Sequence, residues 1–259
     1  MGERTAYASG TFCWADLQTT DPDGARAFYT ELFGWEADAM PIPGGGTYTM
    51  LRLGGRNAAA LSTQGEEAQA GGAPPSWLSY VSLDDVDAGA RRVSELGGAV
   101  HAGPFDVMDA GRMALVADPQ DAVLALWRPG LHIGATVVNE PGAMSLNQLN
   151  TSDPEAATRF YGDLLGWDVV KQETGGPDYW GIYNDGALNG GMMELAGAHA
   201  PPHWQVYFGA EDAAAAVARV GELGGGTFLA PTDVPGGRLA VVHDPQGAAF
   251  AFFAGRFDP

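Results

Sequence analysis

Few side chains of this chain are placed to do chemistry, and Asp16 stands out among them. It sits in Trp14-Ala15-Asp16-Leu17-Gln18, where period-two alternation puts Trp14, Asp16 and Gln18 on one face of a strand. Desolvation raises the pKa of a carboxylate on an inward face. Such a group serves as a general base or as the counter-ion of a ligand ammonium; alternatively it is satisfied by backbone or by a tyrosine hydroxyl and does no chemistry. Tyr80 is the second catalytic candidate, because alternation turns Leu78, Tyr80 and Ser82 together. Cys13 is the single cysteine, so there is no internal disulfide and no multi-cysteine zinc site, and an apolar strand makes it a small core residue. The five histidines lack metal-ligand spacing. His203 and His243 stand near strand ends within reach of Gln205, while His101, His132 and His199 read as loop or edge residues. Glycine clusters at Gly44-Gly45-Gly46 and Gly224-Gly225-Gly226 have no P-loop lysine or dinucleotide-fold context, and no nucleophile elbow is present.

The elements that must position these residues come in a repeat. Asp21-Pro22, Phe28-Tyr29 and Leu32-Phe33-Gly34-Trp35 recur as Asp153-Pro154, Phe160-Tyr161 and Leu164-Leu165-Gly166-Trp167. Glu95-Leu96-Gly97-Gly98 and Asp118-Pro119-Gln120 recur as Glu222-Leu223-Gly224-Gly225 and Asp244-Pro245-Gln246. The pattern gives two domains, 8–129 and 143–256, with 130–142 as linker. Each divides into two strand–helix–strand–strand–strand units. In the first unit a strand at Thr11–Gln18 leads into a helix with Asp21 as N-cap, proline at its first position and Gly34 as its stop. Strands at Trp35–Met40, Thr47–Arg52 and Asn57–Leu61 follow. The second unit offers a strand at Trp77–Leu83, a helix at Val86–Leu96, and strands at Ala99–His101, Arg112–Ala117 and Val123–Trp127. Ser62–Ser76 and Arg128–Gly142 read as linkers. The class is α+β, with the two units of a domain closing one curved mixed sheet around a cup.

The strand ending in Asp21-Pro22, the Phe-Tyr helix closing in Leu-Phe-Gly-Trp, the Asp85-Val86-Asp87-Ala88 helix start and the terminal Asp-Pro-Gln strand together resemble the vicinal oxygen chelate superfamily. That superfamily includes glyoxalase I, bleomycin-resistance proteins and extradiol dioxygenases. Trp14-Ala15-Asp16-Leu17 and Leu146-Asn147-Gln148-Leu149 further resemble its tandem-domain actinobacterial subgroup, labelled glyoxalase-like or "hydroxylase", some of whose members lie in aromatic-polyketide gene clusters. The resemblance implies tandem βαβββ-unit domains and, in the family's enzymes, a divalent metal held by His, Gln or Glu from three strands. Carried onto this chain, those positions are Trp14, Leu78 and Ala125 in the first domain and Leu146, Gln205 and Ala251 in the second. Only Gln205 could coordinate, so no metal and no cofactor is expected.

Alternation then lines each cup. Trp14, Asp16, Gln18, Leu78, Tyr80, Ser82, Ala125 and Trp127 face the first; Leu146, Gln148, Asn150, Gln205, Tyr207, Ala251 and Phe253 face the second. Aromatic walls, small floor residues and a few polar groups suit a flat, largely apolar molecule, with Ala125 and Ala251 leaving volume where a carboxylate would sit. The net charge of −19 disfavours nucleic acid and anionic lipid and attracts cations. No apolar run approaches the roughly 20 residues of a membrane span and the start has no signal-peptide pattern, which points to the cytoplasm. The expected function is metal-independent binding of a small aromatic, preferably cationic, metabolite of secondary metabolism, whether in antibiotic resistance or biosynthesis: sequestration, delivery, or a metal-free lyase, isomerase or cyclase step. The alternatives are a metal-dependent glyoxalase or dioxygenase and a structural pair of degenerate domains. A monomer is favoured over a homodimer, since fused domains supply the pairing internally.

Overall fold

The computed structural model describes residues 2–42, 46–173, 176–195 and 200–257. The first half runs β1 (Phe12–Thr19), α1 (Pro22–Phe33), β2 (Glu36–Pro41), β3 (Thr47–Leu53), β4 (Arg56–Thr63), α2 (Glu66–Ala70), β5 (Ser76–Ser82), α3 (Val86–Glu95), β6 (Ala99–Val107), β7 (Gly111–Ala117) and β8 (Val123–Pro129). The second half repeats it as β9 (Met144–Thr151), α4 (Pro154–Leu165), β10 (Asp168–Gln172), β11 (Tyr179–Asn184), β12 (Ala187–Glu194), β13 (His203–Gly209), α5 (Ala213–Glu222), β14 (Gly226–Val234), β15 (Gly237–His243) and β16 (Ala249–Gly255). Each half forms one eight-stranded mixed sheet, in the orders β2-β3-β4-β1-β5-β8-β7-β6 and β10-β11-β12-β9-β13-β16-β15-β14. In both, the leading strands of the two units pair antiparallel at the centre, β1 with β5 and β9 with β13.

The helix boundaries follow local chemistry. Asp21 and Asp153 cap α1 and α4 by accepting from Gly24 N and Ala156 N, each followed by proline at the first turn. Gly34 and Gly166 end those helices in the left-handed region, at φ 68° and 73°.

The central strands are buried on both faces, and alternation separates two environments. On β5, Trp77 and Ser79 face the other domain, whereas Leu78 and Tyr80 face the cup. Trp77 Nε1 donates to Tyr29 and Ser79 Oγ to Asn147 Oδ1, while Tyr80 Oη donates to Asp16. The sheets stand back to back. Phe33 of α1 packs on Phe208, Phe250 and Phe252 of the second sheet, and Trp167 and Trp204 pack on Phe12 of the first. Two matched hydrogen-bond chains cross this seam. Trp77 Nε1 donates to Tyr29 Oη (3.0 Å), which donates to Asp244 Oδ2 (3.0 Å). Trp204 Nε1 donates to Tyr161 Oη (3.0 Å), which donates to Asp118 Oδ2 (3.1 Å).

Two expectations are corrected. Ser62–Ser76 is not an open linker: β4 runs on to Thr63, α2 follows, and Gln64 Nε2 pins the returning chain through Ala73 O and Pro74 O. The strand expected at Ala99–His101 extends through Val107, held by pairing with β7. The segment 130–142 joins the halves as a strap laid on both, with Ala135 N donating to Cys13 O, Thr136 N to Asn57 O, Gly142 N to Gly209 O, and Arg56 paired with Glu140. Backbone groups too near the sheet to reach water find partners there instead.

Tyr29→Phe leaves Asp244 Oδ2 without its hydroxyl donor in a buried seam. Urea unfolding should show a loss of about 1.5–3 kcal/mol, and Tyr161→Phe should cost the same within error. A loss in only one variant would show that the seam is not symmetric in energy.

Candidate functional site

The first cup is built from four strands and the strap. Asp16 on β1 lies opposite Leu78 on β5, and Trp14 lies opposite Tyr80, which in turn lies beside Ala125 of β8. Tyr80 Oη donates to Asp16 Oδ2 at 2.8 Å and Tyr48 Oη, from β3, donates to the same oxygen at 3.2 Å. Trp14 Nε1 donates to Tyr48 Oη at 3.0 Å, so indole, phenol and carboxylate form a relay. Asp16 Oδ1 is buried and accepts from nothing. Burial pushes the Asp16 carboxyl up to about 6, with the Tyr80 and Tyr48 hydrogen bonds pulling it back. Tyr48 and Tyr80 are both raised above the usual phenol range, by burial first and then by the Asp16 charge.

Two contributors escaped the sequence reading. Tyr48 alternates with Met50 on β3, and its counterpart Tyr179 in the repeat was a usable signal. His132 is a loop residue by sequence, and the strap carries it into the cup. Its ring meets Trp14 edge-on with centroids 4.6 Å apart and lies 6.0 Å from Trp127. Trp127 Nε1 donates to His132 O at 3.0 Å, and His132 Nε2 is buried without a partner. Burial holds this imidazole down to about 4, so it is neutral at ordinary pH.

The first cup is closed. Trp14 is 2% exposed, Asp16 4%, Tyr80 7% and Trp127 4%, and Ala125 and Ala251 are both completely buried. The volume expected beside the two alanines is therefore taken up by packed neighbours. Gln18, at the far end of β1, is half-buried, and Ser82 is held at the other end by backbone bonds to Gly10 and Thr11.

The second cup has the same frame with other chemistry. Gln148 stands where Asp16 does, and Tyr207 Oη donates to its Oε1 at 3.2 Å. Gln148 Nε2 donates to Asn150 Oδ1 (2.9 Å), and Asn150 Nδ2 lies 3.1 Å from His203 Nε2. His203 thus engages Asn150, and His243 packs on the Phe228 ring; His199 lies outside the described residues. Phe253 replaces Trp127 and Leu146 replaces Trp14, both half-buried. Gln205 is 5% exposed and makes a 3.4 Å contact with Val206 O.

Comparison with known proteins fixes the family. Residues 11–126 match the Glyoxalase/Bleomycin resistance protein/Dioxygenase superfamily, and residues 147–253 match a glyoxalase-like domain. A relative described as "Putative glyoxylase CFP32", from Mycobacterium tuberculosis, is 43% identical over 97% of each chain. The chain belongs to the glyoxalase/bleomycin resistance/dioxygenase superfamily. Anthracycline biosynthesis protein DnrV of Streptomyces peucetius is 36% identical, covering 95% of this chain and 94% of that protein. Among solved structures, the Mn(II)-bound glyoxalase from Novosphingobium aromaticivorans has a TM-score of 0.65 at 14% identity, covering 100% of this chain and 86% of its own. The 2,3-dioxygenase LapB from Pseudomonas sp. KL28 gives 0.66 at 12%, covering 96% and 93%. At such identity these structures speak for fold alone.

The residues present do not fit the divalent cation that this fold family implies. Trp14, Leu78 and Ala125, and Leu146 and Ala251, bring no electron-pair donor suited to a divalent ion, and Gln205 is a lone neutral amide. Among the described residues no group of three or more His, Cys, Asp or Glu side chains could hold one.

In the folded chain Asp16 is raised from 3.8 to about 6. It thus binds its proton more tightly than the unfolded chain does. The stability from that preference is complete below the unfolded value and is lost as pH climbs through the folded one. Wild type should therefore lose about 3 kcal/mol relative to Asp16→Asn between pH 3.5 and 7.5. Urea unfolding of both proteins across that range measures it, and parallel stability curves would place Asp16 in contact with water.

Proposed function

We propose that this chain binds a small aromatic metabolite in its first cup without a metal ion, with Asp16 as the acid–base group that meets it. The observation that carries the reading is the buried Asp16 carboxylate, steadied on one oxygen by Tyr48 and Tyr80, left open on the other, and walled by Trp14 and Trp127. A group with a pKa of about 6 is suited to general acid–base work near neutrality, and Tyr80 is placed to pass or steady its proton. This supports sequestration, delivery, or a metal-free lyase, isomerase or cyclase step. The DnrV relative's description directs the reading towards secondary metabolism and antibiotic biosynthesis.

The second cup, lined by Gln148, Asn150, Gln205, Tyr207, Ala251 and Phe253, offers amides and phenol without a carboxylate. It supports hydrogen bonding to a neutral ligand rather than proton transfer. Because the outer faces of the two sheets already cover each other within one chain, a monomer suffices to bury the apolar seam. The name of the CFP32 relative favours glyoxalase chemistry, and Gln205 is the single donor that supports it here. Against that reading, one amide does not hold a divalent cation.

Elemental analysis of purified protein should find Ni, Zn, Mn and Fe far below one per chain, and chelator treatment should leave the melting temperature unchanged. Stoichiometric metal would defeat the proposal. Titration with two- and three-ring aromatic compounds should show binding that Trp14→Ala or Trp127→Ala weakens by about 1–3 kcal/mol, the usual cost of losing buried aromatic surface. Equal affinity in both variants would move the site out of the first cup.

A further inference from the structure

The two oxygens of Asp16 are treated differently. Both tyrosine hydroxyls donate to Oδ2, Tyr80 at 2.8 Å and Tyr48 at 3.2 Å, while Oδ1 is buried and unmet. Among the described residues it is the one buried carboxylate oxygen with no hydrogen-bond partner, and none of their ion pairs involves Asp16. Phenol donors on Oδ2 favour the ionised carboxylate. Burial works the other way and is the larger effect, so the cup holds a negative charge only above about pH 6, and then leaves half of it bare, an arrangement that costs free energy until a donor arrives. The surrounding rings of Trp14, Tyr80 and Trp127 are electron-rich surfaces that accept a cation.

His132 fills the side of the cup between Trp14 and Trp127. His132 is a planar, neutral ring set edge-on to Trp14 at 4.6 Å, with a buried Nε2 that meets nothing. The strap around it is fixed through backbone: Gly130 N and His132 N donate to Ala110 O, Leu131 N to Asp109 O, and Trp127 Nε1 to His132 O. None of these bonds uses the imidazole, so turning the ring about its own side-chain bonds would break none of them.

Resting on the reading of the first cup as an aromatic-metabolite site, we propose that its ligand carries an ammonium group, which donates an N–H to Asp16 Oδ1 while its ring takes the place of the His132 imidazole. The groups that meet Asp16 are Tyr80 from β5 and Tyr48 from β3; His132 from the strap packs on Trp14 and Trp127, and Cys13, on the opposite face of β1, turns its thiol to Tyr80 O. Burial pushes the tyrosines and the thiol up and the imidazole down to about 4. Between pH 5 and 8, Asp16 alone among them changes charge.

The test uses three probes of one skeleton: 2-naphthylmethylamine, 2-naphthylmethanol and 2-naphthoate. Calorimetric titration in about 0.5 M salt screens the acidic surface and leaves a buried contact nearly intact. At pH 7.5 the amine should bind about tenfold or more tighter than the alcohol, with the carboxylate weakest. Asp16→Asn should bring amine and alcohol within about twofold. In wild type, lowering the pH to 5 should weaken the amine about tenfold and leave the alcohol unchanged, which tests the idea even if the Asn variant folds poorly. His132→Ala should tighten all three probes alike. Amine and alcohol binding equally to wild type would overturn the ammonium inference while leaving an aromatic cup in place. An amine preference that survives in Asp16→Asn would overturn the assignment to Asp16. No binding of any probe, even to His132→Ala, would remove both the inference and the cup reading beneath it.

Discussion

A tyrosine hydroxyl held between a tryptophan of its own domain and an aspartate of the other ties this molecule together, and it does so twice. Each aspartate has its other oxygen committed at home: Asp244 Oδ1 accepts from Gln246 N and Ala248 N, and Asp118 Oδ1 from Gln120 N and Ala122 N. The turn is therefore rigid before it meets its partner. Burial raises both carboxyls above their usual range, with those backbone donors pulling the other way. Because the hydroxyl is short and the tryptophans are buried, the two sheets have little freedom to slide. That fixes the back of β1, β5, β9 and β13, whose opposite faces are the cup floors.

This constraint explains why the tryptophan, tyrosine and aspartate of the seam repeat in both halves, although Ser79 and Asn147 on the same seam are answered by Val206 and Ala15. Phe28-Tyr29 and Phe160-Tyr161, or Trp35 and Trp167, serve a shared seam, where a change in one half has to be matched in the other. The cup faces carry no such coupling. There Trp14 is answered by Leu146, Asp16 by Gln148 and Leu78 by Gln205, while Tyr80 and Tyr207 persist. Met50 and Ala60 are answered by Gly181 and Gly191, and the room is taken by Tyr183 and Tyr179, whose hydroxyl lies where a Cβ on Gly191 would stand. The same frame thus holds a carboxylate among indoles in one half and an amide chain among phenols in the other.

Much of this was legible in the sequence because it depends on local periodicity. Alternation grouped Asp16 with Trp14 and Leu78 with Tyr80, the family's ligand positions turned the two groups to one cup, and the Asp-Pro and glycine signals bounded α1 and α4 to within a residue. The pairing of Tyr29 with Asp244 was not legible: both belong to conspicuous repeated motifs, but nothing local says that they meet across domains. His132 was hidden for a related reason. Its segment has no periodicity, and its burial comes from the strap filling the gap beside β1, where Cys13 O would otherwise lack a donor. Tyr48 is legible through its counterpart Tyr179 in the repeat. Closure of the first cup depends on side-chain volumes from five segments, which no local pattern reports.

The chemistry left to the first cup follows from counting charge. A divalent cation in a dry site needs several donors to replace its water, and the strands here bring hydrocarbon and indole to those places. One carboxylate remains, with its charge spread over two phenol hydrogens. A single negative charge of that kind is balanced by a proton or by one monovalent cation, and burial sets the two in competition near pH 6. The nearby imidazole cannot supply the balance, because the same burial keeps it neutral. Among the described residues no ion pair reaches Asp16, so the cup is left one positive charge short whenever that carboxyl ionises.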